Sequence, residues 1–571
     1  MKNKFLSFLI VFQIFFLINL SGQIKSKVWY DGNARVMYDR DMLLGSDLDK
    51  RDTISSRNNG KGFTKIDLGI HFTPIKDIEI FSEIRLQNDF GGMWGNRNLV
   101  SLRSLSVKGV INDRVKFSVG DIMLKQSKFT LYNYHQDLSK NEPSVFNFYN
   151  EYVNYENYYF ENYWRLQGIQ TNFSYNMYNY IEQIDIDAFT TRVRGAQWLG
   201  KPELLMTGAT TFIRINEKLK FGSNYINTFE IASSSNTDIA YYNPVLSSKI
   251  IFTEKINNLP FKFFVEGGLS KRGWNGDNNA PELNGKFITS SLKFTKNQIS
   301  KYFISLNYVD SDFRSIGAQT RRIQYLSNPI SYPYYNNNYV QRKVTLLDIL
   351  TDPSIYNQKL ATSLMNYNPI YNSTLPYGDA TPNRVGIKLG IEDATVLNYI
   401  LSSSSLNFYS EVRGQGTTQK RQFFVLNSFH KVMINEMLNF SFPLILELSV
   451  NNENVKRDGD NIEEIKLNNL LYSSGITVGI NNNLHLIFGA KFFSSKGNEY
   501  LADRNIYDEI IDYDAVNYNN NETILTTGLQ YSFSKDIYIT TQYNYFNVLD
   551  NNNLEDEFSM GRFIFMFNMN L

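Results

Sequence analysis

One short punctuation recurs along this chain and fixes most of what it can fold into. It reads Ile111-Asn112-Asp113-Arg114-Val115, Ile215-Asn216-Glu217-Lys218-Leu219, Ile256-Asn257-Asn258-Leu259, Ile434-Asn435-Glu436-Met437-Leu438 and Ile480-Asn481-Asn482-Asn483-Leu484. An apolar residue closes one alternating segment, a few residues dominated by Asn, Asp, Glu or Lys follow, and an apolar residue opens the next. Asn tolerates the left-handed backbone of a tight hairpin, so each repeat predicts two antiparallel strands joined by a short turn. The connections at the other end of each hairpin are long and variable. Short turns on one side and long loops on the other predict a transmembrane β-barrel, with the turns periplasmic and the loops extracellular.

The segments between turns alternate cleanly. Val28, Tyr30, Gly32, Ala34, Val36 and Tyr38 share one face, against Trp29, Asp31, Asn33 and Arg35 on the other. Ile66, Leu68 and Ile70 oppose Lys65, Asp67 and His71; Ile78, Ile80 and Ile84 oppose Glu79, Glu83 and Arg85. Phe440, Phe442, Leu444, Leu446, Leu448 and Val450 oppose Asn439, Ser441, Glu447 and Ser449. Period two with the charges on one face predicts lipid outside and water or packed polar loops inside. The lumen-facing candidates are therefore Arg35, Lys65, Asp67, Glu79, Glu83, Arg85, Lys262, Glu266 and Glu447. Their signs are mixed, so no ion selectivity follows. A soluble β-sandwich would also alternate, but it gives no reason for turns so consistently short on one side.

Short turns are expected near Pro74, Asn112, Asn176, Asn216, Asn257, Asn297, Thr395, Asn435, Asn481 and Ser534. With one strand added at each end they predict a single all-β, antiparallel up-and-down barrel of about 22 strands, within a range of about 18–22. Mean hydropathy is −0.33, and no stretch approaches a spanning helix. A barrel hides from hydropathy because only alternate strand residues meet lipid. The 38 Tyr and 42 Phe suit strands, a lipid-facing surface and interfacial girdles. Zero cysteines exclude a disulfide framework and thiol chemistry, and a net charge of +1 argues against a nucleic-acid partner. Lys2, Lys4, the apolar run Phe5 to Leu20 and the small pair Ser21-Gly22 read as a secretory leader over residues 1–22, leaving 23–571 as the barrel.

Long loops are expected at 39–61, 125–162, 312–383, 452–469 and 495–522. A barrel of about 22 strands encloses a lumen that needs filling or narrowing. The first strand is expected at about Val28, directly after the leader, which leaves no room for a preceding plug domain. Loop 312–383 is the candidate to narrow the lumen alone, being far longer than ordinary connections. Its Tyr332, Tyr334 and Tyr335 and its apolar Leu346, Leu347 and Leu350 are the constriction or partner-contact candidates. Catalysis is not expected. His71, His430 and His485 fall near periplasmic turns and His135 in an outer loop, with no recognisable grouping of nucleophile and base. They read as polar lumen or interface residues. The acidic loops at Asp47-Leu48-Asp49 and Asp458-Gly459-Asp460 lack calcium-loop spacing, so no cofactor or metal is expected.

The chain resembles the porin-like outer-membrane β-barrel proteins of Gram-negative bacteria. The resemblance rests on the leader, the alternating ladder, the turn and loop asymmetry, and the last strand, where Phe563, Phe565, Phe567, Met569 and Leu571 alternate to the end. Such barrels usually close on a terminal aromatic; here the last residue is Leu571. The resemblance implies outer-membrane localisation and lipid contact. It leaves two functions open. One is a channel for passive passage of small or oligomeric solutes through a loop-constricted lumen. The other is a non-transport barrel subunit of a secretion, assembly or surface-polysaccharide complex, with a protein partner at the mouth or in the lumen.

Overall fold

The structure, a computed structural model, describes residues 27–44, 58–91, 97–132, 141–146, 165–177, 180–195, 202–231, 239–257, 259–277, 279–296, 299–318, 373–376, 378–504, 509–552 and 558–571. The leader lies outside them. The described chain forms one 22-stranded sheet in which each strand pairs antiparallel with its neighbours in sequence. The strands are β1 (Lys27–Leu43), β2 (Asn58–Ile75), β3 (Ile78–Asp89), β4 (Arg97–Ile111), β5 (Val115–Met123), β6 (Arg165–Asn176), β7 (Gln183–Arg194), β8 (Glu203–Arg214), β9 (Leu219–Ile231), β10 (Ala240–Ile256) and β11 (Leu259–Asn275). They continue as β12 (Leu283–Lys296), β13 (Ser300–Val309), β14 (Arg384–Leu397), β15 (Ile400–Ser410), β16 (Gln422–Met433), β17 (Leu444–Arg457), β18 (Ile465–Gly479), β19 (Leu484–Arg504), β20 (Ile510–Ser532), β21 (Ile537–Asp550) and β22 (Phe558–Asn570). The expected up-and-down barrel of about 22 strands is the observed fold.

The sheet closes on itself. β1 pairs β22 from Asn33↔Asn570 to Leu43↔Met560. At this seam the Asn33 side-chain amide donates to Asn568 Oδ1 at 3.0 Å and to Asn570 Oδ1 at 2.9 Å. Closure leaves no free sheet edge, which a bilayer requires because lipid offers backbone groups no hydrogen bonds.

Asparagine makes the turns in two ways. At Asn112 and Asp113, φ is 52° and 55°, the paired left-handed geometry of a tight hairpin. At Asn216 the side-chain Oδ1 accepts from the Lys218 and Leu219 amides at 2.9 and 2.8 Å; Asn481 does the same for Asn483 and Leu484 at 2.9 and 2.8 Å. The Asn435 position differs from expectation. Ile434–Leu438 is a helical turn, α1, ended by Asn439 at φ 56°, and β17 opens only at Leu444. Phe440 and Phe442, expected in the strand, lie in the connection with their rings stacked at 5.3 Å. The Met-Leu pair that resembled the start of a strand completes the helical turn instead.

Loops 39–61, 452–469 and 495–522 are shorter than expected. β1 runs to Leu43 and β2 begins at Asn58; only residues 458–464 separate β17 from β18, and 505–509 separate β19 from β20. β19 and β20 are 21 and 23 residues long, against the roughly 9–11 that a bilayer needs. Their upper parts stand outside the lipid, so the outward face there carries Asn517, Asn519 and Asn521, while Val516 and Tyr518 turn inward to an apolar cluster. The alternation that marked the lower parts therefore fades while the ladder continues.

The outer surface carries exposed apolar side chains, among them Ile66, Leu246, Ile250, Leu269, Ile288, Leu306 and Phe488. Aromatics gather outward near the turns: Phe173 and Tyr175, Phe252, Phe261 and Phe294, Tyr531 and Phe533. This is the girdle of a barrel at the water-lipid interface.

Candidate functional site

Alternation sends every second side chain into the lumen, so the inner wall is where chemistry can be assembled. On β1 to β4 it assembles charges. Arg85 grips Asp67 with Nε and Nη2, both at 2.7 Å, and Arg103 Nη1 reaches the same carboxylate at 2.6 Å and Glu83 at 3.9 Å. Arg103 is the extra residue of a β-bulge, since Glu83 pairs Ser104 while Ile84 pairs Leu102. The bulge turns Arg103 inward beside Ser104. Arg35 donates from Nε and Nη2 to Asn568 Oδ1 at 3.1 and 2.9 Å, and Lys65 Nζ lies 4.4 Å from the Phe63 ring centre. Arg35, Lys65, Asp67 and Glu83 are buried on the inner wall. Cations outnumber carboxylates in this group.

Below it, toward the periplasm, His71 Nδ1 meets Glu79 at 2.7 Å and Nε2 meets Asp31 at 3.2 Å, with Trp29 stacked on the ring at 4.6 Å. His71, Glu79 and Asp31, with Lys108, Lys116 and Asp187, line a cavity of about 1030 Å³ on the inner face of β1 to β7. Lys262 shares the inner face of β11 with Glu266, which is buried and accepts from Ser247 Oγ at 2.7 Å. His485 also points inward, whereas His430 points outward from β16 (Lys431, its neighbour, faces inward to Glu447).

The inner wall is not uniformly polar, contrary to expectation. One apolar cluster includes Leu204, Met206, Ile226, Tyr241, Val245 and Phe287 on β8 to β12. A second includes Phe423, Val455, Leu467, Ile487, Ile524 and Phe546 on β16 to β21. Both are covered by the chain's own loops, which removes apolar area from water at roughly 25 cal/mol per Å².

Residues 124–132, which follow the short strand β5, lie on the first cluster. Phe129 stacks on Phe287 at 4.1 Å, Leu131 is fully buried, and the Gln126 amide donates to the Ala209 and Tyr225 carbonyls at 3.2 Å each. Residues 313–318 join them: the Tyr132 amide donates to Gly317 O at 3.0 Å and Ser315 Oγ to Thr130 O at 3.1 Å.

Residues 141–146 of the same β5–β6 loop lie on the second cluster, about half the barrel's circumference away. The Ser144 amide donates to Glu447 at 2.6 Å, Gln542 Nε2 donates to Val145 O at 3.1 Å, and Glu142 forms an ion pair with Lys491. Lys491 Nζ also sits 4.5 Å from the Phe146 ring centre. Phe146 is fully buried, and Val145 fits against Gly475 and Gly489. Residues 373–376 and 378–383 between them touch both clusters. Leu375 packs on the second, where the Ser373 amide donates to Glu453 at 3.1 Å; Ala380 belongs to the first, and Asp379 pairs with Lys128 at 2.8 Å.

Loop 312–383 is expected from the sequence to be the one segment long enough to narrow the lumen by itself, with part of it packed in the barrel mouth or against a partner there. Its described ends enter the barrel, but the β5–β6 loop enters too and touches both walls. Tyr332, Tyr334, Tyr335, Leu346, Leu347 and Leu350 lie outside the described residues, as does His135. Sequence reading missed Glu142, Ser144 and Val145 as wall contacts. No local signal marks them, since the glycines that seat Val145, at 475 and 489, lie more than 300 residues further along the chain.

A closed 22-strand barrel with an apolar outer belt and an aromatic girdle is a transmembrane β-barrel of the outer-membrane type. No protein-family model and no curated protein matches the sequence. Among solved structures the chain is similar to OccK5 (OpdH) of Pseudomonas aeruginosa, with 8% identity and a TM-score of 0.34 over 95% of this chain and 98% of that one. It is similar also to a BenF-like porin from Pseudomonas fluorescens Pf-5, at 8% and 0.35 over 96% and 100%, and to the outer-membrane channel DcaP of Acinetobacter baumannii, at 10% and 0.29 over 97% and 99%. Likeness of this degree assigns no function.

Proposed function

We propose that the chain is a porin-like outer-membrane channel that lets small polar solutes pass beside an inward-folded loop. The observation that carries this reading is the double docking of one loop. Residues 124–132 lie on the inner wall of β8 and β9, and residues 141–146 on that of β17 to β21. A loop held at two facing walls divides a lumen rather than merely lining it. On one side is the charged wall of β1 to β4, continuous with the cavity above the periplasmic turns, whose lining mixes Asp31, Glu79, Lys108 and Lys116 with Phe81 and Phe117. That side offers a solute fixed charges and hydrogen-bonding groups, which suits passive conduction of polar solutes. The inner apolar clusters take their cover from the chain itself. This supports a channel over a barrel that waits for a partner to fill it.

The test is swelling of proteoliposomes in neutral sugars of increasing size. The channel predicts swelling that falls steadily from pentoses to trisaccharides. No swelling above protein-free vesicles with any sugar would contradict it and leave the partner-bearing barrel as the reading.

A further inference from the structure

On the lipid side of β15 and β16 lies a patch that conduction does not use. Ser402 and His430 are register partners, as are Ser404 and Ser428, and all four point outward. They form a chain of hydrogen bonds: Ser402 Oγ to His430 Nδ1 at 2.9 Å, His430 Nε2 to Ser428 Oγ at 2.7 Å, and Ser428 Oγ to Ser404 Oγ at 2.7 Å. Polar groups on a lipid-facing wall are costly and call for a reason.

Counting donors exposes one. With a neutral imidazole, each of the four side chains brings one proton, and the chain of bonds has one link fewer than it has members. One donor is always left over. Ser402 is only 4% exposed, and an unmade hydrogen bond costs most where it is buried, so Ser402 donates inward to Nδ1. The ring proton then sits on Nε2 and points to Ser428, and the spare proton falls on Ser404 or Ser428.

Ser404 is also the edge of an outward groove of about 460 Å³, lined by Phe294, Tyr302, Ile304, Leu389, Ile391 and Leu406. Phe294, Tyr302, Ile391, Ser404 and Ser428 follow one another as register partners across β12 to β16. An apolar trough thus ends at a hydrogen-bond donor. The patch lies near the periplasmic ends of its strands, since β16 ends at Met433. At that depth a bilayer places the ester groups of its phospholipids, which are acceptors without donors.

We propose that this patch binds one phospholipid of the periplasmic leaflet, an acyl chain lying in the groove and an ester carbonyl accepting the spare proton. The donor explains why the site prefers an ester to plain hydrocarbon, and the trough explains why it prefers a lipid to water.

The full chain, purified in detergent and mixed with equal amounts of diacyl and dialkyl-ether phosphatidylethanolamine, is read by native mass spectrometry. The ether lipid keeps the tails and headgroup and lacks the carbonyl. Wild type should retain the ester lipid roughly fivefold over the ether lipid, the worth of one hydrogen bond. Ser404→Ala combined with Ser428→Ala moves the spare proton back to His430, beyond the groove edge, and should bring the ratio near one. Ile304→Trp should lower retention of both lipids. Heat-modifiable gel mobility confirms that each variant is a folded barrel. Equal retention of the two lipids by wild type would overturn the proposal. So would a dimer that the double variant dissolves, which would put a second copy of the chain on this face.

Discussion

Gly475 of β18 and Gly489 of β19 stand directly opposite each other in the ladder, and their bare backbones form the floor on which Pro143 and Val145 rest. A Cβ at Gly475 would lie 2.9 Å from Pro143 Cβ, and one at Gly489 would lie 2.8 Å from Val145 Cγ1 and 3.0 Å from Phe146 Cζ. The first two distances are closer than packed side chains tolerate, and the third is tight. Two inward positions without side chains thus make room for a loop that begins on the far side of the barrel.

The two faces of β17 should respond differently to charge. Leu446 points to lipid, whereas Glu447 is buried on the inner wall, where it accepts from Ser144 and lies 3.3 Å from Lys431. Leu446→Arg puts a charge on the lipid face near the periplasmic interface and should lower the amount of folded barrel, at a cost of roughly 1 kcal/mol. Glu447→Gln keeps an acceptor for Ser144, so the amount of folded barrel should stay near wild type. Comparison of heat-modifiable bands in outer-membrane fractions checks this, and equal loss in both variants would mean the faces are misassigned.

The orientation of the barrel can be read from outside the cell. Epitope tags in the turns at Asn216 or Asn481 should escape antibody on intact cells and bind after permeabilisation. Tags within 458–464 or 505–509 should bind on intact cells. Surface labelling of the Asn481 insertion would invert the topology.

Much of the barrel was legible because its signals are local. Asn112, Asn216, Asn257 and Asn481 supply turn geometry from their own side chains or backbone, and the alternation of the lower strands needs only the two solvents they face. The helical turn at Ile434–Leu438 was hidden because its sequence imitates the turn of a hairpin. The tall hairpin of β19 and β20 was hidden because strands standing in water need no apolar face. The inner site was legible in part. The positions of Asp67, Arg85 and Glu447 follow from alternation, but the inward turn of Arg103 depends on a bulge, and alternation cannot foresee one. The docking of Val145 on Gly475 and Gly489 joins residues more than 300 positions apart, beyond any local pattern.

Asp67 holds two guanidinium groups, so its charge sets the balance of the β1 to β4 wall. Asp67→Asn should leave Arg85 and Arg103 under-neutralised and lower thermal stability by about 3–5 kcal/mol, as expected for one partner lost from a buried ion group. The same change should move the reversal potential in a KCl gradient toward anion preference. An unchanged reversal potential would place Asp67 off the conducting path.

The Lys128 and Asp379 pair ties two inward loops together, and it should be sensitive to acid. Burial pushes the Asp379 carboxyl up, but the Lys128 and Lys388 ammonium groups pull it further down, below its ordinary 3.8. A depressed carboxylate contributes its stabilisation above that ordinary value and loses it as pH falls through the lower folded value. The tie should hold at neutral pH and release only below about pH 3.8. Open-channel noise should therefore rise in that acid range for wild type and be already raised at pH 7 for Asp379→Asn. Noise of the variant equal to wild type at pH 7 would remove the tie from the account.

The most direct measurement is single-channel recording in planar bilayers of the wild-type chain beside Gly489→Leu. The leucine side chain would occupy the seat of Val145 and Phe146 and lift residues 141–146 from the wall. The account predicts a small, steady conductance for wild type and a clearly larger or widely fluctuating one for Gly489→Leu, with both proteins showing the heat-modifiable mobility of a folded barrel. A wild type and a variant that are both folded and conduct nothing, or that conduct identically, would contradict a channel narrowed by its own loop.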